Sequence, residues 1–305
     1  MNKIVQIIGP TGVGKSSLAV FLSKKLDGEI ISADSVQIYK GFDIGSSKIR
    51  KSEKNGVPHH MIDILDPNEH FNVNKFLEMT VDIVKDMNTR GKLPVVCGGT
   101  ALYLRAMIRG MFNENMDKRI SRKQLKKIGE EKGIDYLWGR LSGIDKEYAE
   151  KIGPGDQQRI IRGLEIYYNN RVIPSNISSI TSSLFRDHEF VRIGLKLQRQ
   201  LMYEKINKRV DKMVDEGLIE EVEELLKIHG ASCSPMLSIG YKEISMVLRN
   251  EIKLNAAVKL IKQHSRNFAK RQMTWFRSEK DITWFEPDES YEILTFVKQK
   301  INESN

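Results

Sequence analysis

Residues 9–16, Gly9-Pro10-Thr11-Gly12-Val13-Gly14-Lys15-Ser16, match G-x-x-x-x-G-K-[ST] and stand between a short β-rich run and a helical pattern. In that setting the loop's backbone N–H groups surround a di- or triphosphate, helped by the positive end of the following helix. Lys15 would neutralise phosphate oxygens, and the Ser16 hydroxyl would ligate Mg²⁺. The motif leaves the phosphate compound open. Asp34, in Ser32-Ala33-Asp34-Ser35-Val36-Gln37, follows a second apolar run. At the carboxyl end of a strand in an open α/β sheet, its carboxylate faces the ligand crevice. Three roles are open to it: general base, outer ligand of Mg²⁺, or the turn cap that Asp-Ser commonly supplies after a strand.

Further groups stand around these. His59 and His60 are adjacent, so on a strand they point to opposite faces and do not share one ion; a structural or positioning role suits them. Asp63 and Asp66 nearby are ambiguous. Gly98-Gly99-Thr100 forms a turn that admits close approach of backbone or ligand, and Thr100 can also cap the next helix. Lys262, Arg266 and Lys270 fall four apart, interleaved with Phe268, Trp275 and Phe276. Such a stripe is the composition of a single-stranded nucleic-acid groove, although core aromatics beside solvated cations read the same way. Asp156-Gln157-Gln158-Arg159-Ile160-Ile161-Arg162 mixes amide and guanidinium donors on a helix that should pack through Ile160, Leu164 and Ile166.

The elements that must position these groups alternate. Ile4–Ile8, Glu29–Ala33 and Leu93–Cys97 read as strands, with helices over about 16–26, 73–88 and 101–110. Strands apolar along their whole length imply a parallel sheet covered on both faces. From about 112 to 188 the texture changes to short helical stretches (121–132, 145–152, 156–169) joined by polar turns, which reads as a small helical insertion domain. The expected organisation is therefore 1–111 core, 112–188 insertion and 189–305 core completion. That last part holds a strand at 190–197, helices at 199–228, 241–249 and 252–275, a short strand at 282–285 and a final helix.

Composition narrows the classes. The chain has 305 residues, 40% hydrophobic and 29% charged, with a net charge of +9. Residues 118–132 carry seven Lys/Arg against two Glu, and residues 262–280 six against one, so the rest is close to neutral. Two basic patches on a neutral body suit a polyanion, or are solvated helix faces. No apolar run approaches the ~20 residues of a membrane helix. No signal peptide is recognisable at the start, so a cytoplasmic location is expected. Cys97 and Cys233 have no metal or disulfide spacing.

Taken together, GPTGVGKS (9–16), SADSVQIYKGFDIGSSK (32–48), PHHMIDILDP (58–67), GGTALYLRAMIRG (98–110), DQQRIIRGLEIY (156–167), SIGYKEI (238–244) and KRQMTWFR (270–277) resemble the bacterial tRNA dimethylallyltransferases, also called tRNA isopentenyltransferases. Residues 112–140 and 170–190 carry no matching block. The resemblance implies a P-loop NTPase-like parallel sheet flanked by helices, with the loop holding a diphosphate leaving group instead of ATP. It implies transfer of a dimethylallyl group from dimethylallyl diphosphate to N6 of the adenosine 3′ of the anticodon in tRNAs reading codons that begin with U, with Mg²⁺ as cofactor. Residue by residue it implies Asp34 as general base, with Lys15 and Thr100 completing the catalytic set. The tRNA would meet Asp34, Ser35, Val36, Gln37 and Thr100, the helix Gln158-Arg159-Ile160-Ile161-Arg162, the turn Gly240-Tyr241-Lys242, and Arg122. A monomer is the default expectation. Rival readings are a nucleotide or nucleoside kinase, a prenyltransferase acting on free AMP or ADP, and a noncatalytic RNA-binding protein. Gly-Gly-Thr after Leu93–Cys97, where a kinase would carry an acidic metal ligand, disfavours the kinase.

Overall fold

The computed structural model describes residues 2–112, 119–177 and 183–303. The chain forms two compact units, Met1–Met107 with Phe185–Asn305, and Ile108–Leu184.

The larger unit is built on six parallel strands: β1 (Asn2–Ile8), β2 (Gly28–Ser32), β3 (His59–His60), β4 (Leu93–Cys97), β5 (His188–Leu195) and β6 (Thr283–Phe285). They lie in the order β3-β2-β4-β1-β5-β6. Val5 pairs with Val95 on one side and Val191 on the other, which makes β1 central. Ile4, Val5, Ile7 and Ile8 are fully buried, as a strand covered on both faces requires. Helices α1 (Lys15–Lys25), α2 (Val73–Thr89) and α3 (Ala101–Arg109) connect the first strands. Leu18, Ala19 and Leu22 of α1 pack into the same apolar cluster as Val5, Ile7 and Val95, and Ile293 and Val297 of the last helix, α12 (Ser290–Asn302), join it. Asn72 caps α2 by accepting from the N–H groups of Asn74 and Lys75.

After β5 come α8 (Arg199–Asp215), α9 (Leu218–His229), α10 (Tyr241–Leu248) and α11 (Leu254–Arg277). The single helix expected over 199–228 is two. Gly217 at φ 102° lies outside the right-handed region, so the chain turns there and α9 begins anew.

The smaller unit holds α4 (Arg122–Lys132), α5 (Ile134–Ile144), α6 (Lys146–Ile152) and α7 (Gln157–Asn170). Leu125, Leu137, Leu141, Ile160 and Leu164 form its core. A capping box starts α4: Ser121 Oγ accepts the Gln124 N–H, and Gln124 Oε1 accepts the Ser121 N–H. Helix α5 was not legible in the sequence, since Gly139 and Gly143 dilute its apolar period. Of the polar stretch at 175–183, residues 178–182 lie outside the described residues, as does Lys118 of the first basic run.

Candidate functional site

The glycine-rich loop 9–16 runs from the end of β1 to the first turn of α1. With β2 and β4 at its side, the sheet brings Lys15, Asp34 and Gly98-Gly99 to one cleft of about 660 Å³. Lys15 Nζ donates to the Pro10 carbonyl at 2.7 Å. Burial lowers the Lys15 pKa to about 8; Cys97 and Asp34 oppose the fall and Arg209 adds to it. Ser16 opens on the same cleft and is exposed. Cys97 is a buried thiol whose pKa burial pushes up to about 11, so it stands there neutral.

Asp34 Oδ1 accepts the N–H groups of Val36 (2.9 Å) and Gln37 (3.2 Å). The carboxylate thus does form the turn cap, and the cap fixes where it stands in the cleft. Thr100 locks the same turn from the other side: its Oγ1 accepts the Ser35 N–H at 3.2 Å and its own N–H donates to the Ala33 carbonyl. A Cβ on Gly98 would lie 2.2 Å from the Ala33 oxygen, so only glycine lets β2 and β4 end side by side here. Gln37 Nε2 donates to the Ser46 carbonyl at 3.2 Å, which draws the segment 43–48 to the cleft wall.

Two residues of the site carried no recognised sequence signal. Arg209, on α8, donates to Thr11 Oγ1 (2.6 Å) and the Ser46 carbonyl (3.4 Å), setting a guanidinium beside the loop. Burial lowers its pKa, while Asp34 works the other way. Nothing local separates it from Lys205, Lys208 and Lys212 on the same helix. Gln272, 4% exposed on α11, accepts the Thr11 N–H (2.9 Å) and donates to the Gly99 carbonyl (2.8 Å). It joins the loop 9–16 to the Gly-Gly-Thr turn. It falls in the KRQMTWFR block, where cations and aromatics outnumber it and no local pattern marks the amide.

Several expected positions have other partners. His59 donates through Nδ1 to the Val57 carbonyl, and burial lowers its pKa, leaving it neutral. His60 meets Glu29, which Arg90 and His60 hold down at about 2. The two rings therefore have separate partners. Asp63 pairs with Lys48, and Asp66 accepts from the Asn68 N–H. The stripe on α11 is partly tied down: Lys262 to Asp211 at 2.5 Å, Arg266 to Asn207 at 2.7 Å. Phe268 is 37% exposed and lines the cleft, whereas Phe276 is core.

In the smaller unit, Arg122, Lys126, Gln157, Gln158, Arg159 and Arg162 surround a cavity of about 450 Å³. Glu165 is buried beneath them and accepts from Arg122 (2.8 Å) and Arg162 (3.0 Å). The same helix buries Ile160 and Ile161 in the unit's core, at 0% and 2% exposure, so their side chains serve packing while its polar residues face out. Tyr241 is likewise fully buried, and Lys242 beside it is exposed. Ile161 nonetheless also borders the cavity, beside the exposed polar residues of its helix.

Among the described residues no group of three or more His, Cys, Asp or Glu has the arrangement of a metal site. A divalent ion in the cleft would rest on the Ser16 hydroxyl, with Asp34 nearby, and on the ligand's own oxygens. That donor set fits Mg²⁺, which keeps several waters and shares substrate phosphates. No described helix is long and apolar enough to cross a membrane.

The sequence model of the IPP transferase family matches residues 37–279. A tRNA dimethylallyltransferase of Caldanaerobacter subterraneus subsp. tengcongensis is 45% identical over 299 residues, covering 96% of this chain and 95% of that one. One of Bacillus anthracis is 40% identical over 305 residues, covering 98% and 96%. The crystal structure of a full-length tRNA isopentenylpyrophosphate transferase from Bacillus halodurans is similar at a TM-score of 0.75 and 39% identity, covering 99% and 98%. A eukaryotic dimethylallyltransferase acting on tRNA gives a TM-score of 0.83 at 28% identity, covering 99% of this chain and 78% of that one.

Proposed function

The chain belongs to the IPP transferase family and transfers a dimethylallyl group to tRNA, and from that premise we propose that the acceptor is N6 of the adenosine immediately 3′ of the anticodon, in tRNAs reading codons that begin with U. The donor is dimethylallyl diphosphate. The observation that carries this reading is the meeting of Lys15, Arg209 and Asp34 in one cleft beside the phosphate loop.

An exocyclic adenine amine is a poor nucleophile because its lone pair is delocalised into the ring. The reaction therefore needs help for the leaving group and removal of a proton from nitrogen. Lys15, Arg209 and the loop N–H groups stabilise charge gathering on the diphosphate as its bond to the allylic carbon breaks. Ser16 would hold a Mg²⁺ ion, whose chemistry there would be added positive charge for the leaving diphosphate. N6 bonds to the allylic carbon and gives its proton to Asp34. Oδ1 of that carboxylate holds the turn, which leaves Oδ2 for the proton. Gln37 and Thr100, at the same turn, border the place where an adenine turned out of its stack would lie. Arg122, Gln158, Arg159 and Arg162 supply phosphate and base contacts to the anticodon stem-loop. On this reading the protein works in the cytoplasm as a monomer.

The test is incubation with Mg²⁺, labelled dimethylallyl diphosphate and unmodified tRNA. Label retained in the tRNA, and recovered as N6-isopentenyladenosine after digestion, supports the reading. Label on another nucleoside contradicts it.

A further inference from the structure

Glu221, in the first turn of α9, touches none of the groups assigned above to substrate, yet its carboxylate takes four donors. Oε2 accepts the backbone N–H groups of Asp43 (3.2 Å) and Ile44 (2.7 Å). Oε1 accepts that of Gly45 (3.1 Å) and the Tyr241 hydroxyl (2.7 Å). The Tyr241 oxygen in turn accepts the Ser46 N–H at 3.2 Å. Burial, and then the Glu221 carboxylate, raise the Tyr241 phenol far above its ordinary range, so its O–H remains a donor. The Tyr241 ring lies so close to Gly45 that a Cβ there would sit 2.5 Å from it. Three successive backbone N–H groups converging on one carboxylate form an anion-binding concavity, here filled by the protein's own side chain.

The loop held in this way is a wall of the cleft, to which Ile44, Ser46 and Ser47 contribute. Its carbonyls orient two side chains that face the ligand. Ser46 O receives Gln37 Nε2 at 3.2 Å and Arg209 Nη2 at 3.4 Å, and Ser47 O receives Gln37 Nε2 at 3.5 Å. We propose that Glu221, acting with Tyr241, is a positioning residue of the transfer reaction: through the loop 43–47 it sets Gln37 at the acceptor end of the cleft and Arg209 at the phosphate end. The inference rests on the function proposed above. Glutamine cannot replace this glutamate, because its amide nitrogen would point donors at N–H groups that are themselves donors.

The test compares the unaltered protein with Glu221→Gln, Tyr241→Phe and the double variant, and uses Glu220→Gln, exposed next door, as control. Values of kcat and KM for labelled dimethylallyl diphosphate and for tRNA are measured well below each Tm. Affinity for inorganic pyrophosphate is measured by calorimetry. Losing one charged, multiply bonded acceptor predicts that Glu221→Gln falls about 10- to 100-fold in kcat/KM and about tenfold in pyrophosphate affinity. Tyr241→Phe falls by about threefold to tenfold. The double variant falls no further than Glu221→Gln, because the pair works as one unit. Glu220→Gln is unchanged. Wild-type kcat/KM in a folded Glu221→Gln protein, with only Tm lowered, overturns the proposal, and so do multiplying losses in the double variant. If Glu221→Gln does not fold, Tyr241→Phe carries the test: a loss in both readouts supports the proposal, and wild-type values overturn it. If the unaltered protein transfers no label, the transfer reading fails, and pyrophosphate affinity still decides the role of the clamp.

Discussion

Replacing Lys15 with methionine should abolish transfer and yet stabilise the fold. Burial holds the Lys15 pKa at about 8, against 10.5 for a solvated lysine. At about 1.4 kcal/mol for each tenfold change in proton affinity, keeping the ammonium charged at pH 7 costs the fold about 3 kcal/mol. Methionine fills a similar length without charge. It forfeits the bond to the Pro10 carbonyl at 2.7 Å, worth about 1 kcal/mol. The net gain at pH 7 is therefore about 2 kcal/mol. The sign with pH follows from proton counting. Between about pH 8 and 10.5 the unfolded chain holds a proton on Lys15 that the folded chain has released, so wild-type stability rises with pH across that window. The advantage of Lys15→Met is full below pH 8 and shrinks to near zero by about pH 9.5. Urea denaturation of both proteins at the two pH values measures it. Inorganic pyrophosphate at about 100 times its Kd should add about 2.7 kcal/mol to the wild type alone. A variant less stable than wild type at pH 7, or an advantage independent of pH, would refute the argument.

Other consequences are as direct. Asp34→Asn keeps an oxygen for the Val36 and Gln37 N–H groups, so tRNA affinity should hold within about twofold while kcat falls about 10² to 10⁴-fold; unchanged turnover removes Asp34 from the chemistry. Gly98→Ala forces a Cβ to within 2.2 Å of the Ala33 oxygen, which predicts a loss of about 1–3 kcal/mol in denaturation and impaired turnover, since the turn bearing Asp34 must shift. Glu165→Gln weakens the hold on Arg122 and Arg162 and should raise the KM for tRNA by about tenfold. The KM for dimethylallyl diphosphate should stay unchanged, and equal rises in both constants would contradict that assignment.

What the sequence disclosed and what it withheld divide along chain distance. Strands β1, β2 and β4 are legible because each is a short run buried on both faces, and the loop at 9–16 because its chemistry is confined to eight adjacent residues. At Asp34 the sequence leaves the role open, since a cap and a base need the same residue in the same place; in the structure the carboxylate caps through Oδ1. Arg209 and Gln272 reach Thr11 across 198 and 261 residues, and no local period marks them. Glu221 is hidden for the same reason, as one acidic residue among several on α9. The helical spacing of Ile160, Leu164 and Ile166 marks them as buried, and they are; burial of Ile161 and Tyr241 could be read only from packing, because a motif match does not say which of its residues face inward.

On the function proposed above, the cleft transfers an allylic group from a diphosphate to adenosine in tRNA. The most direct measurement offers labelled dimethylallyl diphosphate and Mg²⁺ to four acceptors in parallel: tRNA with adenosine 3′ of its anticodon, the same tRNA with guanosine there, AMP and ADP. Label in the first acceptor alone, with diphosphate released in equal amount, is the predicted result. Label on AMP or ADP, or equal labelling of the two tRNAs, would contradict it.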